Sequence, residues 1–346
     1  MSLHLLLMRG LDFVRRTQLA TGEVPSYHRI GREALYSQSP LASALAHDAL
    51  ACLDPFSPRF EREAAGRLPY PGGRWLAAVA VHVRRRIRGF VAWQERPDAR
   101  FSFLGRGSGL APDAATTACC AAVLLEGRPP AGRRRSAPAA EPWRRHAQAL
   151  ARHRAADGRF FTYVDAGGRG WAALGARGER TGDFDRVVNA HALRFLALAG
   201  EPAGALPDWL LAEAGRDFAE GSPDHPDPLA FAHAAARAFA PLPERESLAR
   251  ALAPRVLERQ RPDGSFGGPL ATSLALHALL DLGVEDPALA AMAAGGRALV
   301  SQAARNGSWR GEAYVRKGGG SASLSTALAV AALLRLAGVF GPELEA

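Results

Sequence analysis

The stretch DGSFGGPLATSLALHALLDLG, from Asp263 to Gly283, reads as a tight turn, an aromatic residue, a Gly-Pro step and an Ala/Leu-rich helix that stops at glycine. Asp-Gly favours a turn because glycine reaches the left-handed backbone without a steric cost, and proline at a helix start forfeits no hydrogen bond. The same order recurs along the chain. Asp157 opens DGRFFTYVD and leads to FDRVVNAHALRFLALAG at Phe184; Asn306 opens NGSWRGEAYV and leads to SASLSTALAVAALLRLAG at Ser321; Ala99 opens ARFSFLGRGSGLAPDAATTACCAAVLLEG. Weaker copies run from Gly22 (GEVPSY) to Ser39 (SPLASALAHDALACLD) and from Ser222 (SPDHPDP) to Leu229 (LAFAHAAARAFA). Gly127, Gly200, Gly283 and Gly338 stand where helices are expected to end in left-handed caps.

Between these units lie arginine-rich amphipathic segments, Trp75 to Val91, Trp143 to Arg154 and Ser247 to Gln260. About a dozen helices in roughly six pairs result, while the two-residue alternation of β-branched side chains that strands need is almost absent. The fold is predicted to be all-α. Pairs with a small apolar inner helix and a charged outer helix close into an (α/α)6 toroid, here expected over residues 1–346 as one domain, with an open solenoid as the rival. Residues 126–141, EGRPPAGRRRSAPAAE, read as a Pro/Arg-rich surface loop.

Of the 346 residues, 48% are hydrophobic and 22% charged, which excludes collagen-like, coiled-coil and wholly disordered chains. No apolar run reaches the ~18 residues of a membrane span. The N-terminal MSLHLLLMRGLDFVRR carries its arginines after a short apolar run and has no small-residue cleavage site, so it does not read as a secretory signal; a cytoplasmic location is expected. Three cysteines, Cys52, Cys119 and Cys120, make no disulfide framework. Of 43 cations 42 are arginine, and the formal charge is +9. The clusters His82–Arg88 (HVRRRIR) and Arg133–Arg135 with Arg144, Arg145 and His146 read either as solvated surface or as contacts for phosphate or an anionic membrane. No reading motif accompanies them, so no nucleic-acid partner is expected.

Gln260-Arg-Pro-Asp-Gly-Ser-Phe266 and Asn306-Gly-Ser-Trp309 resemble the Q-x-x-D-G-S-W turns of the squalene–hopene cyclase and prenyltransferase repeat superfamily. Pro112-Asp-Ala-Ala-Thr-Thr-Ala118 resembles the P-D-x-D-D-T-A stretch of class II terpene cyclases, whose middle aspartate protonates an alkene or epoxide. Here Asp113 matches the first aspartate, Ala115 stands at the acid's position and Thr116 at the third. The resemblance implies an α/α toroid and a terpenoid or polyprenyl substrate in an apolar central cavity. Protein prenyltransferases and lanthionine cyclases of this ring shape need zinc ligands that the sequence lacks; no cofactor is expected, and Mg²⁺ only if the substrate is a diphosphate.

Protonating so weak a base requires a carboxylic acid kept neutral by desolvation. Thr117, Asn189, Thr272 and Thr326 lie 10 to 12 residues before their closing glycines, and four residues earlier stand Asp113, Asp185, Gly268 and Ala322. Two units thus place a carboxylate at one station before an inner helix, as an acid or as a helix cap. Asp113, Asp185, Asp183, Asn189, His191 and Glu312 are the candidate catalytic residues, with Asn189 and Thr117 orienting the acids. His191 reads equally as a satisfied core histidine. Thr117, Phe103, Phe161, Tyr163, Phe184, Phe266, Trp309 and Tyr314 are candidate substrate-binding residues, aromatic faces being suited to carbocations, or they pack the turns. A catalytically silent toroid that binds a lipid or a protein, and an α-toroid glycosidase using Asp183, Asp185 and Glu312, are the alternatives.

Overall fold

The computed structural model describes the chain except residues 1, 31–32, 58, 61–72, 127–141, 165–169, 172, 175–179, 182–183, 217, 219–220, 285–287, 317–318 and 342–346. Among the described residues, six inner helices alternate with six outer ones. The inner set is α2 (Pro40–Ala49), α4 (Ala114–Glu126), α6 (Arg186–Ala199), α8 (Pro228–Phe239), α10 (Pro269–Leu282) and α12 (Ala322–Phe340). The outer set is α1 (Leu3–Thr17), α3 (Gly73–Gln94), α5 (Pro142–Ala151), α7 (Leu206–Gly215), α9 (Arg245–Leu257) and α11 (Ala288–Ser301). Each inner helix packs on the next, and α12 returns to α2, so the ring is closed: an (α/α)6 toroid. Helices on both sides of the Pro/Arg-rich stretch share this one ring; residues 127–141 of that stretch lie outside the described residues, and Glu126 is the last residue of α4.

The inner helices are buried on nearly every side, which is why they read as Ala/Leu runs without an amphipathic stripe. The outer helices keep one apolar face; on α1 it is Leu3, Leu6, Leu7, Leu11 and Val14. α12 is long and apolar enough to cross a membrane, yet 83% of it is buried among its neighbours. Gly200 and Gly283 cap α6 and α10 in the left-handed conformation. Gly338, expected to do the same, lies inside α12, which continues to Phe340.

The repeat has a physical basis in a side-chain clasp. In four units a residue one turn into the inner helix accepts a hydrogen bond from the amide of the turn's aromatic residue: Thr117 Oγ1 from Phe101 (3.1 Å), Asn189 Oδ1 from Phe160 (2.7 Å), Thr272 Oγ1 from Phe266 (3.1 Å) and Thr326 Oγ1 from Trp309 (3.0 Å). The first unit does the same with Ser43 Oγ and the Val24 amide, at 3.0 Å. Before each aromatic the turn closes on a side chain: Asp98, Asp157, Asp263 and Asn306 accept from the amide two residues on. The intervening residue has positive φ in every unit, Gly158, Gly264 and Gly307 at 81° to 92° and Ala99 at 62°. At Gly264 a Cβ would meet the carbonyl of Ala294 in α11 at 2.8 Å, so the turn rests directly on the following outer helix. Gln18, Arg154 and Gln260 complete the motif, each bonding the carbonyl of its turn glycine and a carbonyl in or beside the next outer helix.

Among the described residues three antiparallel hairpins also form, β1 (Ser26–Ile30) with β2 (Glu33–Ser37), β3 (Tyr163–Val164) with β4 (Gly170–Trp171), and β5 (Ala173–Leu174) with β6 (Arg180–Thr181). All lie in loops that lead to inner helices, where main-chain pairing alone shapes the strands and no alternation is required.

Thr326→Val keeps the shape of the clasp and strands the buried Trp309 amide. A loss of about 1–3 kcal/mol in urea unfolding is expected, while Ala99→Gly, relieving positive φ, is expected to add up to about 1 kcal/mol.

Candidate active site

At the N-terminal mouth of the ring a polar cluster is closed off from water. Asp113 precedes α4 and is held by two strand-like contacts: its amide donates to the Phe101 carbonyl at 3.1 Å, and its backbone bridges to that of Tyr163. Oδ1 caps α4 by accepting from the Thr116 amide at 2.7 Å. Oδ2 is buried with no hydrogen-bond partner among the described residues. Burial is the main force on this carboxyl, which is pushed up to about 7; neighbouring Asp224 adds to the rise, while the Thr116 amide and His225 oppose it.

Asp185 has the same station in the next unit and the opposite protonation. Its Oδ1 accepts from the amides of Val187 and Val188 at 2.8 and 3.1 Å, and Oδ2 lies 3.4 Å from His225 Nδ1. Burial raises it, but the imidazole of His225, Ser222 and the helix amides outweigh burial and bring it down to about 2. His225 is further placed by Ser222 Oγ at 3.3 Å from Nδ1, leaving Nε2 buried and unpartnered among the described residues. Its ring meets the edge of Tyr314, with centroids 5.2 Å apart, and the Tyr314 hydroxyl lies 3.1 Å from His191 Nε2. Tyr163 joins the same cluster: burial and the charges of Asp113, Asp224 and Asp185 raise its phenol far above the ordinary range.

The structure therefore brings together Asp113, Asp185, Tyr163, His191 and Tyr314, and adds Ser222, Asp224 and His225, which the sequence did not single out. The others lie elsewhere. Asn189 and Thr117 hold the turn amides described above, and Asn189 Nδ2 also donates to the backbone carbonyl of Asp185 at 2.9 Å. Trp309 donates from Nε1 to the Leu299 carbonyl of α11, and Phe266 is clasped by Thr272. Phe161 and Phe184 pair at 4.7 Å, with the Arg159 guanidinium 3.7 Å above Phe184 and also beside Trp209 of α7, an outer-helix setting. Phe103 is partly buried against the core. Glu312 is not a second acid of the cluster: Oε2 accepts from the Leu270 amide at 2.9 Å and caps α10 from a neighbouring loop. It supplies the cap that Gly268 lacks, and a Cβ at Gly268 would collide with it. Asp183 lies outside the described residues.

Deeper along the axis the inner wall is polar, which departs from the apolar hollow expected from the sequence. His191, His233 and His277 lie buried on α6, α8 and α10, with the His233 and His277 rings 5.8 Å apart. At the C-terminal end Asp48 of α2 meets Arg194 of α6 at 2.5 Å and Arg237 of α8 at 3.1 Å, and Asp281 meets Arg237 and Arg335 at 3.2 and 2.6 Å. Arg84, read from sequence as part of a surface cluster, is 2% exposed and pairs with Asp54 and Glu126.

No family model matches this chain, and no curated protein does either. Among solved structures it is similar to a protein from Actinoplanes, at 20% identity and a TM-score of 0.69, covering 97% of this chain and 100% of that one. It is similar to the type II terpene cyclase MstE from Scytonema, at 17% identity and a TM-score of 0.68, covering 98% and 99%; MstE is also known in complex with geranylgeranyl dihydroxybenzoate, its substrate, and merosterolic acid A, its product. The ent-copalyl diphosphate synthase from Streptomyces platensis matches at 19% identity and a TM-score of 0.58 over 88% of this chain and 52% of that one. These likenesses show a terpene-cyclase-type fold.

Five buried histidines, His47, His153, His191, His233 and His277, are held below their ordinary range chiefly by burial, His153 at about 4 and His233 and His277 at about 3. In the unfolded chain they take up protons near pH 6.5; folded, burial keeps them neutral to lower pH. Stability is therefore lost as pH falls below about 6.5, by up to ~1.4 kcal/mol per pH unit for each histidine. Asp113, Glu23 and Asp227 work the other way, since carboxyls raised by burial favour the folded state as pH drops, but they are three protons against five. The melting temperature is expected to fall steeply between pH 6.5 and 4.5; a flat profile would contradict the neutral buried histidines.

Proposed function

We propose that this protein is a class II terpene-cyclase-like enzyme in which Asp113 is the proton donor. The reading is carried by one observation: a carboxyl at the mouth of a closed ring, buried, raised to about 7, with one oxygen unpartnered among the described residues. Where the resembled family has its acid and a further aspartate, this chain has Ala115 and Thr116, so desolvation is left as the main source of the raised value. Two carboxyls whose surroundings drive them apart divide acid from anion: Asp113 donates, and Asp185 stays ionised beside His225.

In the step proposed, the Asp113 proton passes to the terminal alkene or epoxide of a polyprenyl or terpenoid chain. The carboxylate left behind is stabilised by the Thr116 amide and by the nearby imidazole of His225. The Tyr163 and Tyr314 rings offer π faces to the cation. Loss of a proton from carbon ends the sequence, so the reaction is an isomerisation with no net change in protons. The neighbouring structure that binds geranylgeranyl dihydroxybenzoate supports a prenylated substrate here. The polar axis favours a second reading, a toroid that binds such a ligand without turning it over.

Incubation with farnesyl diphosphate, geranylgeranyl diphosphate and squalene distinguishes the two. Cyclised product is expected from at least one, with Asp113→Asn lowering the rate at least 100-fold at an unchanged far-ultraviolet spectrum. Unchanged substrate throughout, with wild-type and Asp113→Asn behaving alike, would leave the silent toroid.

A further inference from the structure

At the end of the ring opposite Asp113, a cavity of about 390 Å³ opens among the C-termini of the inner helices. Its charged lining is Arg59, Arg194, Arg237, Arg245 and Arg335 against Glu126 and Asp281. Asp48 lies behind, bonded to the first three. Among the described residues five arginines and three carboxylates meet here, and Arg59, Arg237 and Arg335 have further interactions besides these. Four of the five arginines are under a tenth exposed, so water screens them poorly. Helix C-termini take part as well: Arg59 bonds the Asp48 carbonyl, and Arg245 Nε donates to that of Asp281 at 2.7 Å. Arg245 is the exception in the set. It is half-buried at the start of α9, and its two terminal nitrogens make no hydrogen bond among the described residues. Leu198 and Val339, both about half exposed, form part of the rim.

We propose that this cavity is an anion-binding site, taking a group with several phosphate-type oxygens, of which diphosphate is the model. A guanidinium fork with both terminal nitrogens available suits such oxygens bidentately, and the surrounding arginines, fixed by their carboxylates, hold the positive field in place without reorganisation. The volume would hold roughly a dozen waters at ~30 Å³ each, so an ion of this size enters with room for its shell or for a short organic tail. The assignment stands on the charge and shape of this end alone and does not depend on Asp113 being an acid. Nothing in the resembled turn or acid motifs includes these residues.

The test is calorimetric titration of the whole protein with inorganic diphosphate in 150 mM NaCl, a salt concentration that suppresses unspecific attraction. Saturable binding is expected, weakened at least ten-fold by Arg245→Ala and by Leu198→Glu, which sets a negative charge on the rim. Arg250→Ala removes an exposed arginine from the same outer helix and is expected to leave affinity unchanged. Farnesyl diphosphate titrated into the same variants assigns the source of the group. A ten-fold loss with Arg245→Ala seats the head of a prenyl diphosphate in the cavity; unchanged affinity there, with diphosphate still lost, makes the free anion its ligand. No saturable binding of diphosphate by the wild-type protein, or equal losses in Arg245→Ala and Arg250→Ala, would overturn the site.

Discussion

Everything in this ring hangs on a hydrogen bond between a polar side chain one turn into an inner helix and the amide of the residue that wedges beneath it. A buried amide without an acceptor costs about as much as a whole helix cap gains. The acceptor is supplied from the helix that the turn must lead into, so satisfying the amide also fixes the angle at which turn and helix meet. Thr117, Asn189, Thr272 and Thr326 do this for Phe101, Phe160, Phe266 and Trp309. The glutamine or arginine before the turn then reaches on to the next outer helix, as Gln260 does to the Ala291 carbonyl at 2.7 Å. One short motif therefore holds five of the six units together internally and ties three of them to the next outer helix, and the repeat carries α12 back against α2.

Closing the ring sorts charge by helix polarity. All inner helices point the same way, so one mouth collects helix N-termini and the other C-termini, and the side chains follow: Asp113, Asp185 and Asp227 at the first, Arg194, Arg237 and Arg335 at the second. Helix polarity alone would leave every mouth carboxylate ionised. Asp113 escapes because one amide bond does not offset its burial and the nearby Asp224 carboxylate, whereas Asp185 receives two amides and an imidazole. The difference between a proton donor and a fixed anion is thus a matter of two or three neighbours on otherwise equivalent caps.

The one unit without a clasp among the described residues also matters. In the loop before α8, Ser222 to Asp227, no polar side chain pins an aromatic amide among the described residues; the loop folds on itself, with Ser222 and His225 exchanging backbone bonds, and carries His225 and Asp224 into the cluster of Asp113, Asp185 and Tyr163. The irregular repeat supplies what the regular ones cannot, since their loops are committed to holding turns.

The sequence by itself determined the repeat, the turns, the sense of the caps at Gly200 and Gly283 and the pairing of inner with outer helices, because each of these depends on backbone conformation and periodicity within about forty residues. It also marked Asp113 and Asp185 by their shared station. It could not show that Asn189 and Thr117 clasp the turn amides, or tell a catalytic carboxylate from the distant cap of α10 at Glu312, since the deciding partners lie in other loops. Tertiary structure alone decided that His225 joins the acids, that Arg84 is buried with Asp54 and Glu126, and that the axis is polar. Those outcomes follow from which side chains meet once the ring has closed, and from how much water is left between them, neither of which is encoded in the spacing along the chain.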